Sequence, residues 1–257
     1  MATHGIATGR IAGLPVRIKP GAVVLFGLIV LLLAVSVLPG LAPGLPVGDY
    51  WGAGLAGAVL FDIGVLAHEL AHAILARRAG MRVEVVGLEL FGGGTELRGR
   101  PHSPWVEARI ALAGPAASLA FAGVLALVSV LLAVFSGPVL AVLVGGYVAA
   151  ASLVVALVNL LPGAPLDGGR VLHAWLWHGH GDRRRADIAT LRAGLVIGAV
   201  VLGIGIMGGL LAGPGGWWLA AGGLAMLIAA RGESRRVNAP PQPTTDPRTP
   251  EPTGTPR

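Results

Sequence analysis

His68, Glu69 and His72 stand within five consecutive residues of an otherwise apolar run from Val65 to Ala76. On a helix a four-residue spacing is just over one turn, so the two imidazoles face the same way and can share one metal ion, with the carboxylate beside them. His-Glu-x-x-His is a pattern with which a helix binds zinc. Two neutral imidazoles and one further ligand leave a coordination position for water, and Glu69 is the base that can take the water's proton. The plain alternative is a chance pentapeptide in a buried helix, its histidines satisfied by neighbours and its glutamate paired with an arginine. The setting argues against that, because ionisable residues inside a membrane segment are costly and mark functional cavities.

Two histidines do not complete a site. The chain has no cysteine, so the third ligand must be His, Asp or Glu. Asp62 lies six residues before His68, on a different helix face. Glu84, Glu89 and Glu96 fall on a presumed hairpin, Glu107 opens the third apolar run among arginines, and His102, His173, His178 and His180 are at cytosolic edges, the last two flanking Gly179 in an arginine-rich segment. None of these stands out by spacing. Asp167 does, at the end of the stretch Asn159-Leu160-Leu161-Pro162-Gly163-Ala164-Pro165-Leu166-Asp167-Gly168-Gly169. Its prolines and glycines break the fourth apolar run, and broken backbone near membrane depth is tolerated only where it is buried in protein or lines a wet cavity. His72 is about 7.5 Å of helical rise from Arg77, so both stretches approach the same depth. An ordinary Asp-Gly turn at a helix end is the competing reading.

The elements that must position these residues are membrane helices. Of the 257 residues, 54% are hydrophobic and only 12% charged, and the mean hydropathy is +0.75, which describes an integral membrane protein. Apolar runs occupy about residues 21–39, 53–76, 106–135, 138–161, 193–212 and 217–230, the last being the shortest. The expected fold is an all-α polytopic membrane protein of about six transmembrane helices, with a small β-hairpin between the second and third. Residues 1–20 form a cytosolic lead-in, residues 21–231 the membrane domain, and residues 232–257, rich in proline, a disordered cytosolic tail.

Alternation from a cytosolic N-terminus puts all 19 Lys and Arg residues in or against the inside segments, the asymmetry that sets membrane orientation. The formal charge of +6 is therefore a topology signal. No basic patch interleaved with aromatics is present, and a nucleic-acid partner is not expected. Residues 83–97 alternate partly and are expected to turn at Gly92, Gly93 and Gly94. Such a hairpin beside the metal helix either offers an unpaired edge to an extended peptide or is a plain connector, and the letters do not decide between them. The small residues from Ala113 to Ser118 read as helix packing.

With both stretches in view, the chain resembles the site-2 protease family of intramembrane zinc metalloproteases. The likeness runs in order through His68-Glu69-x-x-His72, the glycines after Phe91, a helix start at Gly114-Pro115, and Asn159 to Gly168. It implies one Zn2+ ion held by His68, His72 and Asp167, Glu69 as catalytic base, and Asn159 facing the active site, with Gly92 and Gly93 as further substrate-contacting candidates. It also implies cleavage of a membrane-anchored protein within or next to its transmembrane segment, in a bacterial plasma membrane with both termini cytosolic. Many relatives carry a PDZ module between central spans or a CBS pair after the last helix, and no loop or tail here is long enough for either. Two other classes remain in view: a zinc transporter or sensor without hydrolysis, and a peptidase that trims lipid-modified or signal peptides. Transport asks for polar groups along a whole path, and the outer halves of these spans offer few besides Asp62.

Overall fold

Apolar runs bounded by proline and glycine become long helices. In the computed structural model, which describes residues 6–89, 92–213 and 215–238, α1 (Pro20–Leu32) continues through a π-helical stretch (Leu33–Val37) into the short α2 (Leu38–Leu41). There follow α3 (Val47–Arg78), α4 (Pro104–Val134), α5 (Val139–Asn159), α6 (Asp167–His180), α7 (Arg183–Leu211) and α8 (Gly215–Asn238). Pro20 and Pro104 sit in first turns, where a missing N–H is no loss, and the Ser103 hydroxyl caps α4 by accepting the Val106 N–H at 3.3 Å. The helix start expected at Gly114-Pro115 is therefore ten residues too late, and Pro115 is buried inside α4.

Among the described residues, five helical stretches are long and apolar enough to cross a membrane: Pro20–Leu41, Val47–Arg78, Pro104–Val134, Val139–Asn159 and Arg183–Leu211. The sixth run, at 217–230, is also helical, but Trp217, Trp218 and several glycines make α8 less apolar than the other five. It packs antiparallel on α7 with the backbones in contact: a Cβ placed on Gly205 would lie 2.2 Å from the Ala220 nitrogen, and one on Gly223 2.3 Å from that of Leu202. α8 also runs on to Asn238, so residues 232–238 are helix where a tail was expected. The rest of that expected tail, 239–257, lies outside the described residues. The helices join in a core of Leu33, Leu38, Tyr50, Val144 and Val148, contributed by the π-helical stretch, α2, α3 and α5.

The expected hairpin is half of something larger. Strands β1 (Ile6–Ile11), β2 (Leu14–Ile18), β3 (Arg82–Glu89) and β4 (Gly92–Arg98) form one sheet in the order β1-β2-β3-β4. β1 and β2 are antiparallel around Ala12 and Gly13, both at positive φ. β2 then runs parallel to β3, with Val16 opposite Val86. Residues read from sequence as a charged lead-in thus supply two strands. Gly92, Gly93 and Gly94 do not make the turn; they lie in β4, opposite Glu89, Leu88 and Gly87. Residues 90 and 91, between the two strands in sequence, lie outside the described residues.

Buried Leu14, Val16 and Val86 pack with Ala73 of α3, flanked by Leu66, Leu70 and Ile74. This apolar seam fixes the sheet to the helix that carries the histidines. β4, at the outer edge, lies beside that helix, and among the described residues no further strand pairs with its other side.

Candidate metal centre

The 3.6-residue period of α3 puts His68 and His72 on its buried face one above the other, with Glu69 beside them. Asp167 arrives from the opposite side as the first residue of α6. Its carboxylate oxygen Oδ2 lies 3.1 Å from His68 Nε2 and 3.2 Å from His72 Nε2, and the two Nε2 atoms are 3.1 Å apart. Among the described residues this is the one gathering of three His, Asp or Glu side chains close enough to share an ion.

The chemistry of the donor set can be tested against a metal. The other ring nitrogens are both engaged: His72 Nδ1 lies 2.7 Å from the Ile110 carbonyl and His68 Nδ1 2.9 Å from Ser118 Oγ. A carbonyl only accepts, so His72 must donate from Nδ1, and its Nε2 carries a lone pair. In the neutral imidazole that lone pair points at a carboxylate oxygen and a second imidazole nitrogen, an arrangement that a shared metal cation satisfies. Ligands about 2.0–2.1 Å from a tetrahedral zinc are about 3.3 Å from one another, close to the separations seen here. The residues fit zinc, and the outer partners on α4 orient the rings as metal-bound histidines require.

Between Ile110 and Ser118, α4 also presses on the imidazoles at Gly114. A Cβ on Gly114 would lie 2.2 Å from His72 Nε2 and 2.5 Å from His68 Nε2, so the segment read from sequence as general packing is contoured to the imidazoles. The Asp167 loop is held by equally close contacts. The Ala164 N–H donates to the Thr190 carbonyl at 3.1 Å, and a Cβ on Gly194 of α7 would meet the Ala164 oxygen at 1.9 Å.

Glu69 stands outside the trio. Its Oε2 accepts the Thr95 hydroxyl at 2.7 Å, so β4 holds the carboxylate in place. These side chains open onto a cavity of about 540 Å³ whose walls are otherwise largely apolar, including Leu25, Phe61, Val65, Val158 and Met226. Asn159 lines it too, with its amide donating to the Val155 carbonyl at 3.0 Å. Gly94 and Thr95 line it from β4; Gly92 and Gly93 precede them on the same strand.

Among the described residues, none of the other candidate ligands considered from sequence joins this trio. Glu84 pairs with Arg98 at 3.4 Å, and Glu89 with Lys19. Thr95, Ser118 and the Ile110 carbonyl were not anticipated. A hydroxyl three residues into a glycine-rich strand and another one turn after Gly114 were the available signals.

His173, two turns along α6 from Asp167, ties three helices together. Its Nδ1 is 3.0 Å from Glu107 Oε2 on α4, and its Nε2 is 3.1 Å from Asp187 Oδ1 on α7, near enough for an ion pair but out of line for a hydrogen bond. Burial works against the charged imidazolium. The hydrogen bond and charge of Glu107, with the charge of Asp187, outweigh it and raise the pKa above the ordinary histidine value. A histidine raised in the folded state stabilises fully below its ordinary pKa, and that stabilisation disappears as pH climbs through the folded value. The thermal midpoint of the wild-type protein is therefore expected to fall as pH rises from 6 to 9, and that of His173→Gln to fall less. Parallel profiles would remove His173 from the account.

A helical bundle with an imidazole pair and a carboxylate converging beside a glutamate that is not one of the trio defines a metallopeptidase-type site in a membrane scaffold. The chain matches the family profile of peptidase family M50 over residues 56–142 and 134–201, and it belongs to that family, the site-2 proteases. It is an integral membrane protein. It is 44% identical over 237 residues to Rip3 of Mycobacterium tuberculosis, described as a candidate zinc metalloprotease, covering 91% of this chain and 59% of that protein. A protein of Synechocystis described in the same way, sll0528, is 32% identical over 242 residues, with 93% and 62% covered. The chain thus spans about three fifths of the length of these curated relatives. The solved site-2 protease from Methanocaldococcus jannaschii superposes with a TM-score of 0.61 at 24% identity, covering 90% of this chain and 96% of that one. That likeness speaks to the fold.

Proposed function

We propose that the protein is a zinc-dependent intramembrane endopeptidase, which hydrolyses a peptide bond within or next to a transmembrane segment of a membrane-anchored protein. The observation that carries this reading is the convergence of His68, His72 and Asp167 to within 3.2 Å of one another, beside a glutamate that none of them engages. A zinc ion held by these three side chains supplies the Lewis acid for the scissile carbonyl.

The chain's own residues do the rest. Apolar cavity walls admit a membrane segment and exclude bulk water. Peptide bonds in a helix are shielded by their own hydrogen bonds, so the segment must unwind, and the outer edge of β4 offers main-chain partners for the unwound strand. Glu69, fixed by Thr95, takes a proton from the attacking water and returns it to the departing nitrogen. The Asn159 amide has one N–H left for a freed carbonyl. In this reading the sheet and the Asp167 loop face the cytosol, where the arginines lie.

The test uses purified full-length protein in lipid with a single-span reporter. Cleavage is expected to stop on chelation with phenanthroline and return with zinc, and mass spectrometry should place the cut in or beside the membrane segment. A cut confined to a soluble tail would favour peptide trimming. Zinc binding with no cut in any membrane reporter would favour a sensor or transporter.

A further inference from the structure

The helix that brings Asp167 to the metal centre brings a cation with it. Arg170 follows one turn later and is partly buried. It lines the cavity around the three converging side chains and also a neighbouring cavity of about 490 Å³, so it stands in the wall between the two. Among the described residues lining the first cavity it is the single Lys or Arg.

Three other arginines of this region are engaged. Arg100 lies 3.5 Å from Asp187, Arg98 pairs with Glu84, and Arg183 donates to the Pro101 carbonyl while lying 3.7 Å over the Trp177 ring. The guanidinium of Arg170 has no ion pair, hydrogen bond or ring contact among the described residues. Asp167, three residues earlier, turns its carboxylate to the imidazoles instead. Glu107 and Asp187, across the second cavity, are taken up by His173. A partly desolvated guanidinium without a partner is unfavourable, and its planar fork of five donors matches a carboxylate.

Hydrolysis creates that group at this place. One water adds across the C–N bond: its oxygen goes to the acyl carbon, which becomes a carboxylate, and the nitrogen leaves as an ammonium, with no further reactant. The new anion appears in the cavity that the carboxylates of Glu69 and Asp167 also line. We propose that Arg170 binds the C-terminal carboxylate of the cleaved fragment and steadies it against those two charges, a role that rests on the endopeptidase reading.

The experiment measures binding, without turnover. Zinc-loaded full-length protein is titrated with a fluorescent apolar peptide ending in a free carboxylate, with its C-terminal amide, and with an amide carrying one internal glutamate. Wild type is expected to prefer the free acid to the plain amide by about tenfold, the worth of a charge-assisted hydrogen bond. Arg170→Gln should abolish the preference with zinc content unchanged, and Arg170→Lys should restore part of it. Equal wild-type affinity for acid and amide overturns the proposal even if the variants fail to fold. So does a preference that survives in Arg170→Gln, and so does an internal glutamate that binds as well as the terminal acid. Failure of reporter cleavage alone would sink the endopeptidase reading and leave the acid preference standing.

Discussion

Glu69→Gln is expected to lower peptide hydrolysis by about 10²–10⁴-fold, the usual worth of a positioned general base, while the protein keeps its metal. Glutamine has the shape of glutamate and can still accept the Thr95 hydroxyl, now 2.7 Å from the carboxylate, so neither the cavity nor the β4 contact should change. What it lacks is a basic oxygen. Because Glu69 is not one of the three converging side chains, metal content measured by mass spectrometry should match wild type, and reporter turnover in the same preparation should not. Undiminished turnover would take the base role from Glu69. Loss of metal together with turnover would make it a structural residue of the centre.

Gly114→Ala is expected to empty the metal centre, although residue 114 offers no ligand. The added methyl would sit 2.2 Å from one Nε2 and 2.5 Å from the other, well inside contact distance and on the atoms that face the ion. α4 cannot simply draw back, because the Ile110 carbonyl and the Ser118 hydroxyl of the same helix hold the opposite ring nitrogens at 2.7 and 2.9 Å. Removing single outer partners of metal-bound histidines costs about 10–100-fold in affinity, and displacing both rings should reach at least about 100-fold. Gly123→Ala is the control: on the same helix, its added Cβ would meet nothing within 4 Å. Zinc titration of the two variants should separate them. Equal zinc affinity would mean that the rings have room the packing does not suggest.

How far the sequence could be read depended on whether a feature was local. His68, Glu69 and His72 lie within one turn and a half of one helix, so spacing alone put them together. Asp167 was visible because prolines and glycines interrupt an apolar run, a local irregularity that needs an explanation. The partners that hold these groups were not visible. Thr95, Ser118 and the Ile110 carbonyl act across contacts between elements distant in sequence, and hydroxyls and backbone carbonyls carry no pattern of their own. The sheet shows the same limit. Val83 to Leu97 alternates and turns upon itself, so the hairpin could be expected. The pairing of Val16 with Val86 could not, since it joins strands separated by the whole of α1 and α3, and the charges at Arg10, Arg17 and Lys19 drew residues 6–18 into a topological role. Glycine was misread for a related reason. A triplet of glycines signals a turn by its conformational freedom, and in β4 these residues instead keep an edge strand narrow, with Gly94 and Thr95 against the cavity.

The parallel bond between β2 and β3 also carries a parity rule. Strands that share hydrogen bonds cannot lie on opposite faces of a bilayer, so the helical segments between them must make an even number of crossings. The same arithmetic applied to α4 and α5 returns Asp167 to the face of β4, as its approach to the α3 imidazoles demands. The compartment that sees the N-terminal hairpin is therefore the one that sees the edge strand and the third ligand, whichever compartment that is. Water-soluble reagents should find the N-terminal hairpin, the exposed part of β4 and the loop before Asp167 accessible from the same side of a sealed vesicle.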